Sequence, residues 1–207
     1  MMTPVSMNDW PRKAVFDFFS SMSQPFFSVT FRQDVTNLHR FVKERGISFY
    51  YALTYLCTQA VNHVEAFRYL LKDGQLYLSG GRSPSFTDLQ PGSEQFHIVT
   101  MPCEGDIVSF CRAAKEKSRT QTAFIDLTAE ADDLIYISCL PWVELTALTN
   151  ERDFDKDDSI PRLAWGKYAE ENGRKILHIS MELNHRFVDG LHVGKFHEML
   201  TELIDAL

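Results

Sequence analysis

The residues best suited to chemistry lie near the C-terminus, in Met181-Glu-Leu-Asn-His185-Arg-Phe-Val-Asp189-Gly190. Before them, Leu177, Ile179, Met181 and Leu183 alternate with polar residues, the period-two pattern of a half-buried strand. His185 falls in the same register, at the strand's end. An imidazole at such a boundary is partly desolvated, which disfavours its cation and leaves a neutral nitrogen free to take a proton. Asp189 follows four residues later, once the chain has begun to turn, and Gly190 allows the turn and opens the next helix. Spacing alone leaves two readings of each residue. His185 is a base or an ordinary hydrogen-bonding histidine; Asp189 is its partner or simply a helix cap.

Other constellations carry less. His185, Asp189 and His192 straddle a turn and no HExxH is present, so no metal site is expected. Gly80-Gly81 lacks phosphate-loop spacing, the helix around His197-Glu198 reads as a solvated face, and the acidic Asp153–Asp158 cluster reads as a solvated loop. Cys57, Cys103, Cys111 and Cys139 form no CxxC pair and no zinc spacing; most sit in apolar stretches, where free cysteine packs as a small hydrophobe.

The elements that must position these groups mix helices and strands. A short helix is predicted over Arg12–Met22, with Pro11 in its first turn and Val15, Phe18 and Phe19 on one face. Pro25–Val35 alternates as a strand. A helix from Thr36 or Asn37 stops at Gly46, and Ser48 caps a long apolar helix reaching His63. Gln75–Ser79, Ser85–Leu89 and Gln95–Met101 read as strands, and Asp106 caps a helix ending in a basic turn. Leu134–Trp142 is a dense apolar run that Val143–Thr149 extends. Arg162–Glu171 and Arg174–His185 flank Asn172-Gly173, the strongest two-residue hairpin signal. Gly190–Leu207 closes the chain as an amphipathic helix. The expected fold is α+β: a two-layer sandwich of a mixed, largely antiparallel sheet with helices packed on it, in one domain over residues 1–207.

Bulk properties narrow the function. A net charge of -7, from 28 acidic against 21 basic side chains, argues against a partner held by its phosphates, so no nucleic acid is expected. No apolar run approaches membrane-spanning length and no cationic leader precedes an apolar stretch, so a cytoplasmic protein without a membrane partner is expected.

His185-Arg-Phe-Val-Asp189-Gly190 resembles the HxxxDG signature of CoA-dependent acyltransferases. The chain is similar in particular to chloramphenicol acetyltransferases. Gly190-Leu-His-Val-Gly-Lys-Phe196 resembles their GFHVGRF, Ile137-Ser-Cys-Leu-Pro-Trp-Val143 their ISALPWV and Gly166-Lys-Tyr168 their GKY. Asp9-Trp-Pro-Arg12 resembles their NWxR, and Phe49 to Asn62 their long helix ending in QAVN. These elements occur in the family's order over essentially the whole chain. The resemblance implies direct acetyl transfer from acetyl-CoA, a diffusible co-substrate with no tightly bound cofactor, to a small hydroxylated acceptor such as chloramphenicol. It implies His185 as general base, Asp189 paired with Arg12 to hold the turn, Lys167 and Tyr168 beside the CoA channel, and Phe19 in the acceptor pocket. It also implies a homotrimer with active sites between subunits.

Three departures bear on rate and acceptor. Ala147 stands where the family has a serine whose hydroxyl stabilises the oxyanion, Ala164 where it has a threonine, and Phe19 where it has a tyrosine. Losing one oxyanion donor typically costs ~10²–10³ in turnover. Thr149 shares a strand face with Ala147 if that segment is extended. The alternatives are a catalytically weak relative that binds CoA or a small ligand, and a dihydrolipoyl acyltransferase core. No lipoyl or subunit-binding region precedes the core in this sequence, and ISCLPWV belongs to the other branch. A condensation domain would need about twice the length.

Overall fold

Asn172 and Gly173 both adopt positive φ, 50° and 78°, the geometry of a tight hairpin turn whose twist matches the flanking strands. The computed structural model, which describes residues 1–90, 92–153 and 155–207, builds its main sheet around this hairpin. Its strands are β2 (Phe26–Asp34), β5 (Ser83–Leu89), β6 (Phe96–Thr100), β7 (Leu134–Leu140), β8 (Arg162–Gly166), β9 (Ala169–Glu171) and β10 (Arg174–Asn184). The order is β2-β10-β8-β7-β5-β6, with β9 pairing β10. β7 runs parallel to both β5 and β8, and the other pairs are antiparallel. A small antiparallel sheet of β1 (Met2–Pro4), β4 (Gln75–Ser79) and β3 (Tyr69–Lys72) lies beside it. The β3–β4 turn is Asp73-Gly74, again with both φ positive, so an Asp-Gly hairpin signal was present in the sequence.

Five helices are described: α1 (Lys13–Ser20), α2 (Thr36–Arg45), α3 (Phe49–His63), α4 (Ile107–Thr120) and α5 (Gly190–Asp205). Ser48 accepts the Tyr51 backbone N–H at the start of α3, and Gly46 ends α2 in the left-handed conformation that a Cβ would disfavour. Ala52, Leu53, Leu56 and Ala60 of α3 are buried, and α3 packs against both α4 and α5. The odd residues of β10 from Leu177 to Leu183 join this core, as the alternation predicts.

Four expectations need correction. The Val143–Thr149 segment is not a strand. β7 already has neighbours on both edges, and after Pro141 the chain turns up and crosses β8, where the Val143 carbonyl accepts the Lys167 N–H at 2.6 Å. Gly166 permits this crossing: a Cβ there would lie 2.7 Å from the Leu145 backbone nitrogen and closer still to the Val143 oxygen. Arg162–Glu171 is two strands rather than one. Trp165 faces Ile179 while Ala169 faces Ile176, so four steps on one strand match three on the other, and a one-residue bulge falls at Gly166–Tyr168.

The acidic segment near Asp158 is not simply solvated. Arg162 and Arg152 bind the Asp158 carboxylate at 2.7 and 3.4 Å, and Asn184 Nδ2 donates to the Lys156 and Asp158 carbonyls. This segment covers the polar face of β10, so Ser180, Glu182 and Asn184 are buried too. Arg152 Nε lies 2.7 Å from Glu182 Oε1, and the Asn150 N–H donates to the other oxygen at 2.8 Å. Finally, α1 buries Phe16, against Trp10 and Phe187, whereas Val15 and Phe18 face outward. Residue 154 of the acidic cluster lies outside the described residues.

One fully buried cation rivets these layers. Arg82 donates to the carbonyls of Phe67, Tyr69, Asp132, Leu134 and Ser159 and to the Ser159 hydroxyl. Its backbone exchanges two hydrogen bonds with the Asn62 amide, which accounts for an asparagine at the end of α3.

Candidate active site

The chain leaves β10 at Asn184 and turns at once, so His185 is the first residue beyond the strand. Its N–H donates to the Pro25 carbonyl at 2.7 Å, which anchors it to the start of β2. The imidazole lies between two phenylalanines. Phe19 of α1 stacks on it with centroids 4.0 Å apart and planes 11° apart, and Phe27 of β2 approaches to 4.7 Å. Nδ1 is buried without a hydrogen-bond partner among the described residues, so the ring presents Nε2 outward. A flat, apolar slot of this kind fixes the ring's plane and leaves one nitrogen for proton transfer.

Arg12 fixes the backbone beneath the ring. Its Nη2 donates to the His185 carbonyl at 2.9 Å, its Nε to the Arg186 carbonyl at 3.0 Å, and its Nη1 to Asp189 Oδ2 at 2.6 Å. Asp189 also caps α5, its Oδ1 accepting the Leu191 N–H at 3.1 Å, while His192 Nδ1 lies 3.1 Å from the Asp189 N–H in a reciprocal capping box. Burial would raise the Asp189 carboxyl, but the Arg12 hydrogen bond and the charges of His192 and Arg12 outweigh it and hold the pKa below the ordinary value. Asp189 is therefore both a helix cap and Arg12's clamp partner; it reaches His185 only through Arg12, not by direct contact.

Arg186 supports the turn from its other side. It donates to Ser20 Oγ at 2.9 Å, to the Lys156 carbonyl at 2.7 Å and to the Asp157 carboxylate at 2.7 Å, and its guanidinium lies over the Phe16 ring. It thus ties α1, which carries Phe19, to the loop below β10. Sequence reading assigned Arg186, Phe27 and His192 no role. His192 carried a usable signal, because it stands three residues after Asp189 at capping-box spacing.

Lys167 and Tyr168 lie elsewhere, in the bulge between β8 and β9. Lys167 is exposed. Tyr168 Oη is 3.3 Å from His39 Nε2, and Lys175 Nζ sits 4.8 Å above its ring, so Lys175 adds a second cation beside Lys167 and His39 closes the corner. His39 is held below its ordinary pKa by burial and by the charges of Lys175 and Lys43. The bulge lies opposite Leu177 and His178, seven to eight residues from His185, which at strand rise is about 25 Å. One chain therefore does not bring the two groups together.

Ala164 is fully buried in β8, between Ser138 of β7 and Ser180 of β10, whereas Ala147 is exposed in the crossing segment. Burial raises the Cys103 thiol to about 11 and the Cys111 and Cys139 thiols to about 12, so none is a ready nucleophile at neutral pH. Among the described residues no cluster of His, Cys, Asp and Glu suits a metal ion, and no helix is long and apolar enough to cross a membrane.

A sheet ending in a clamped histidine turn, backed by helices, is the architecture of an acyltransferase fold. A solved chloramphenicol acetyltransferase superposes with a TM-score of 0.91 at 23% identity, covering 99% of this chain and 100% of that one. A dihydrolipoamide acetyltransferase from Azotobacter vinelandii shares the fold less closely, with a TM-score of 0.69 at 17% identity over 92% of this chain and 85% of that one. The sequence is 28% identical to chloramphenicol acetyltransferase 3 of Escherichia coli, over 99% of this chain and 97% of the relative. The family model for chloramphenicol acetyltransferase matches residues 1–201. The chain belongs to the chloramphenicol acetyltransferase family and is an acetyltransferase.

Proposed function

We propose that residues 1–207 form a single acyltransferase domain that moves the acetyl group of acetyl-CoA to a hydroxyl of a small acceptor, with chloramphenicol as the leading acceptor and His185 as general base. The observation that carries this reading is the constraint on His185: its ring is held between Phe19 and Phe27, and its carbonyl is held by Arg12. The imidazole would take the hydroxyl proton as the acceptor oxygen attacks the thioester carbonyl carbon. The tetrahedral intermediate would then collapse with cleavage of the C–S bond, and the imidazolium would return the proton to the departing CoA thiolate. No acyl group passes through the protein, and acetyl-CoA binds and leaves as a co-substrate rather than as a resident cofactor.

Lys167 suits a CoA phosphate as a point charge, and the Tyr168 ring suits adenine. These residues lie about 25 Å along β10 from His185, a separation that a site between subunits, with one subunit's Lys167 and Tyr168 near its neighbour's His185, would shorten. A homotrimer with sites between subunits is consistent with that arrangement. Trp142, 71% exposed, and Val143 offer apolar surface for such a contact. Acetyl-CoA as co-substrate and four free cysteines support a cytoplasmic enzyme.

The test is thiol release from acetyl-CoA with chloramphenicol and other hydroxylated acceptors. His185→Ala should lower turnover at least ~10²-fold with the fold retained. Undiminished turnover in that variant would remove His185 from the role. Sedimentation should give three times the 23.9 kDa chain mass, and a fully active monomer would refute the shared site.

A further inference from the structure

We propose that His192 is a positioning residue for this acetyl-transfer site: as a neutral imidazole accepting the Asp189 N–H, it holds Asp189 and, through Arg12, the His185 turn. The proposal rests on the reading of His185 as the base. His192 occupies the third position of α5, where an ordinary capping box places Glu or Gln. Those side chains accept the cap N–H at any neutral pH. Histidine does so only while Nδ1 keeps its lone pair.

The geometry makes that condition consequential. Nδ1 lies 3.1 Å from the Asp189 nitrogen and 3.0 Å from Asp189 Oδ1, so it can serve either one but not both. Unprotonated, it accepts the N–H and leaves Oδ1 to Leu191. Protonated, it must donate to Oδ1. The Asp189 N–H then loses its partner and Oδ1 is shared with the Leu191 N–H, which loosens the cap that aims Oδ2 at Arg12, whose other nitrogens hold the His185 and Arg186 carbonyls. The contacts run without a gap from 192 to 189, to 12, to 185.

The surroundings favour the neutral form. Asp189 attracts the cation, but burial and the charges of Arg12 and Lys195 outweigh it, so the His192 pKa falls below its ordinary value. The facing groups come from several elements. Arg12 precedes α1, and Lys195, Glu198 and Glu202 lie on α5 itself. His63 ends α3, and Glu65 and Tyr69 follow it. Together they line a cavity of about 760 Å³ that excludes His185 from its walls, so His192 exchanges protons on the far side of the clamp from the base.

The experiment compares the purified full-length wild type with His192→Ala and His192→Gln. The alanine variant should lose about tenfold in kcat with KM for acetyl-CoA little changed, the scale of a small misplacement. The glutamine variant, a non-titrating acceptor at the same position, should restore kcat to within about twofold, and the acid limb of its pH profile should lose one proton relative to wild type. Unchanged kcat in His192→Ala, no rescue by His192→Gln, or an identical acid limb would each overturn the proposal. Nitrogen NMR of the imidazoles gives an independent reading: His192 should carry its proton on Nε2 at neutral pH, and a protonated Nδ1 would overturn it without reference to turnover. His185→Ala assayed alongside separates the two readings. Full activity there refutes the base assignment, while the His192 tautomer is unaffected by that outcome.

Discussion

Replacing Arg12 by Met removes the clamp while keeping an apolar stem of similar length. Three hydrogen bonds are lost, two to backbone carbonyls and one to the Asp189 carboxylate. Bonds to charged groups contribute about 1.5–3 kcal/mol each when buried. Asp189 is 32% exposed, which screens its pair with Arg12 toward the ~1 kcal/mol of a surface bridge. The sum is about 4–7 kcal/mol, toward the lower end of the ~5–15 kcal/mol that stabilises most domains, so activity is compared only on a variant shown to be folded by its unfolding transition. Activity should fall further than stability. With its carbonyl released, His185 loses its placement relative to the thioester, and kcat should drop about 10²-fold.

Denaturant unfolding and thiol release, measured on Arg12→Met, Asp189→Asn and the double variant, check the argument. Asp189→Asn keeps a good helix cap and loses only the charge, so it should cost about 1 kcal/mol and should couple to Arg12→Met. The pH dependence has a definite sign. Because the folded Asp189 carboxyl titrates below its unfolded value, its contribution is complete above the ordinary Asp pKa of about 3.9 and is lost as pH falls through the folded value. Asp189→Asn should lack that acid-side component, and Arg12→Met should show less of it. Wild-type kcat in Arg12→Met, or strict additivity in the cycle, would refute the clamp.

Restoring the family's hydroxyl with Ala147→Ser should raise kcat, by as much as ~10²-fold, with little effect on KM, because an oxyanion donor acts chiefly in the transition state. No gain in an already brisk enzyme means that another donor serves. Arg82→Met strands five carbonyls that share its guanidinium and should abolish cooperative folding, read by circular dichroism; a cooperative melt near wild type would refute the rivet. Gly166→Ala should cost about 1–3 kcal/mol by pushing the Val143–Leu145 crossing off β8, and an unshifted melt would mean that the crossing yields freely.

Local rules decided much of this molecule from sequence. Asn172-Gly173 required a hairpin, Ser48 and Asp106 capped their helices, and the alternation from Leu177 to Leu183 set which face of β10 joins the core, because turn conformation, end-group satisfaction and side-chain period depend on neighbours along the chain. The HxxxDG spacing and its flanking motifs were likewise legible, and they marked His185, Asp189 and Arg12 together. Tertiary structure alone decided the rest. Glu182 and Ser180 alternate as a solvated face does, yet a segment some 30 residues earlier covers them, with Arg152 and Asn150 on Glu182 and the Leu148 carbonyl on Ser180. Lys167 and Tyr168 belong to the same motif set as His185, yet the β8–β9 bulge and the β10 register hold them seven to eight residues back along the strand. In each case the deciding contact joins groups that no sequence period relates, and only the packing of the whole chain brings them together.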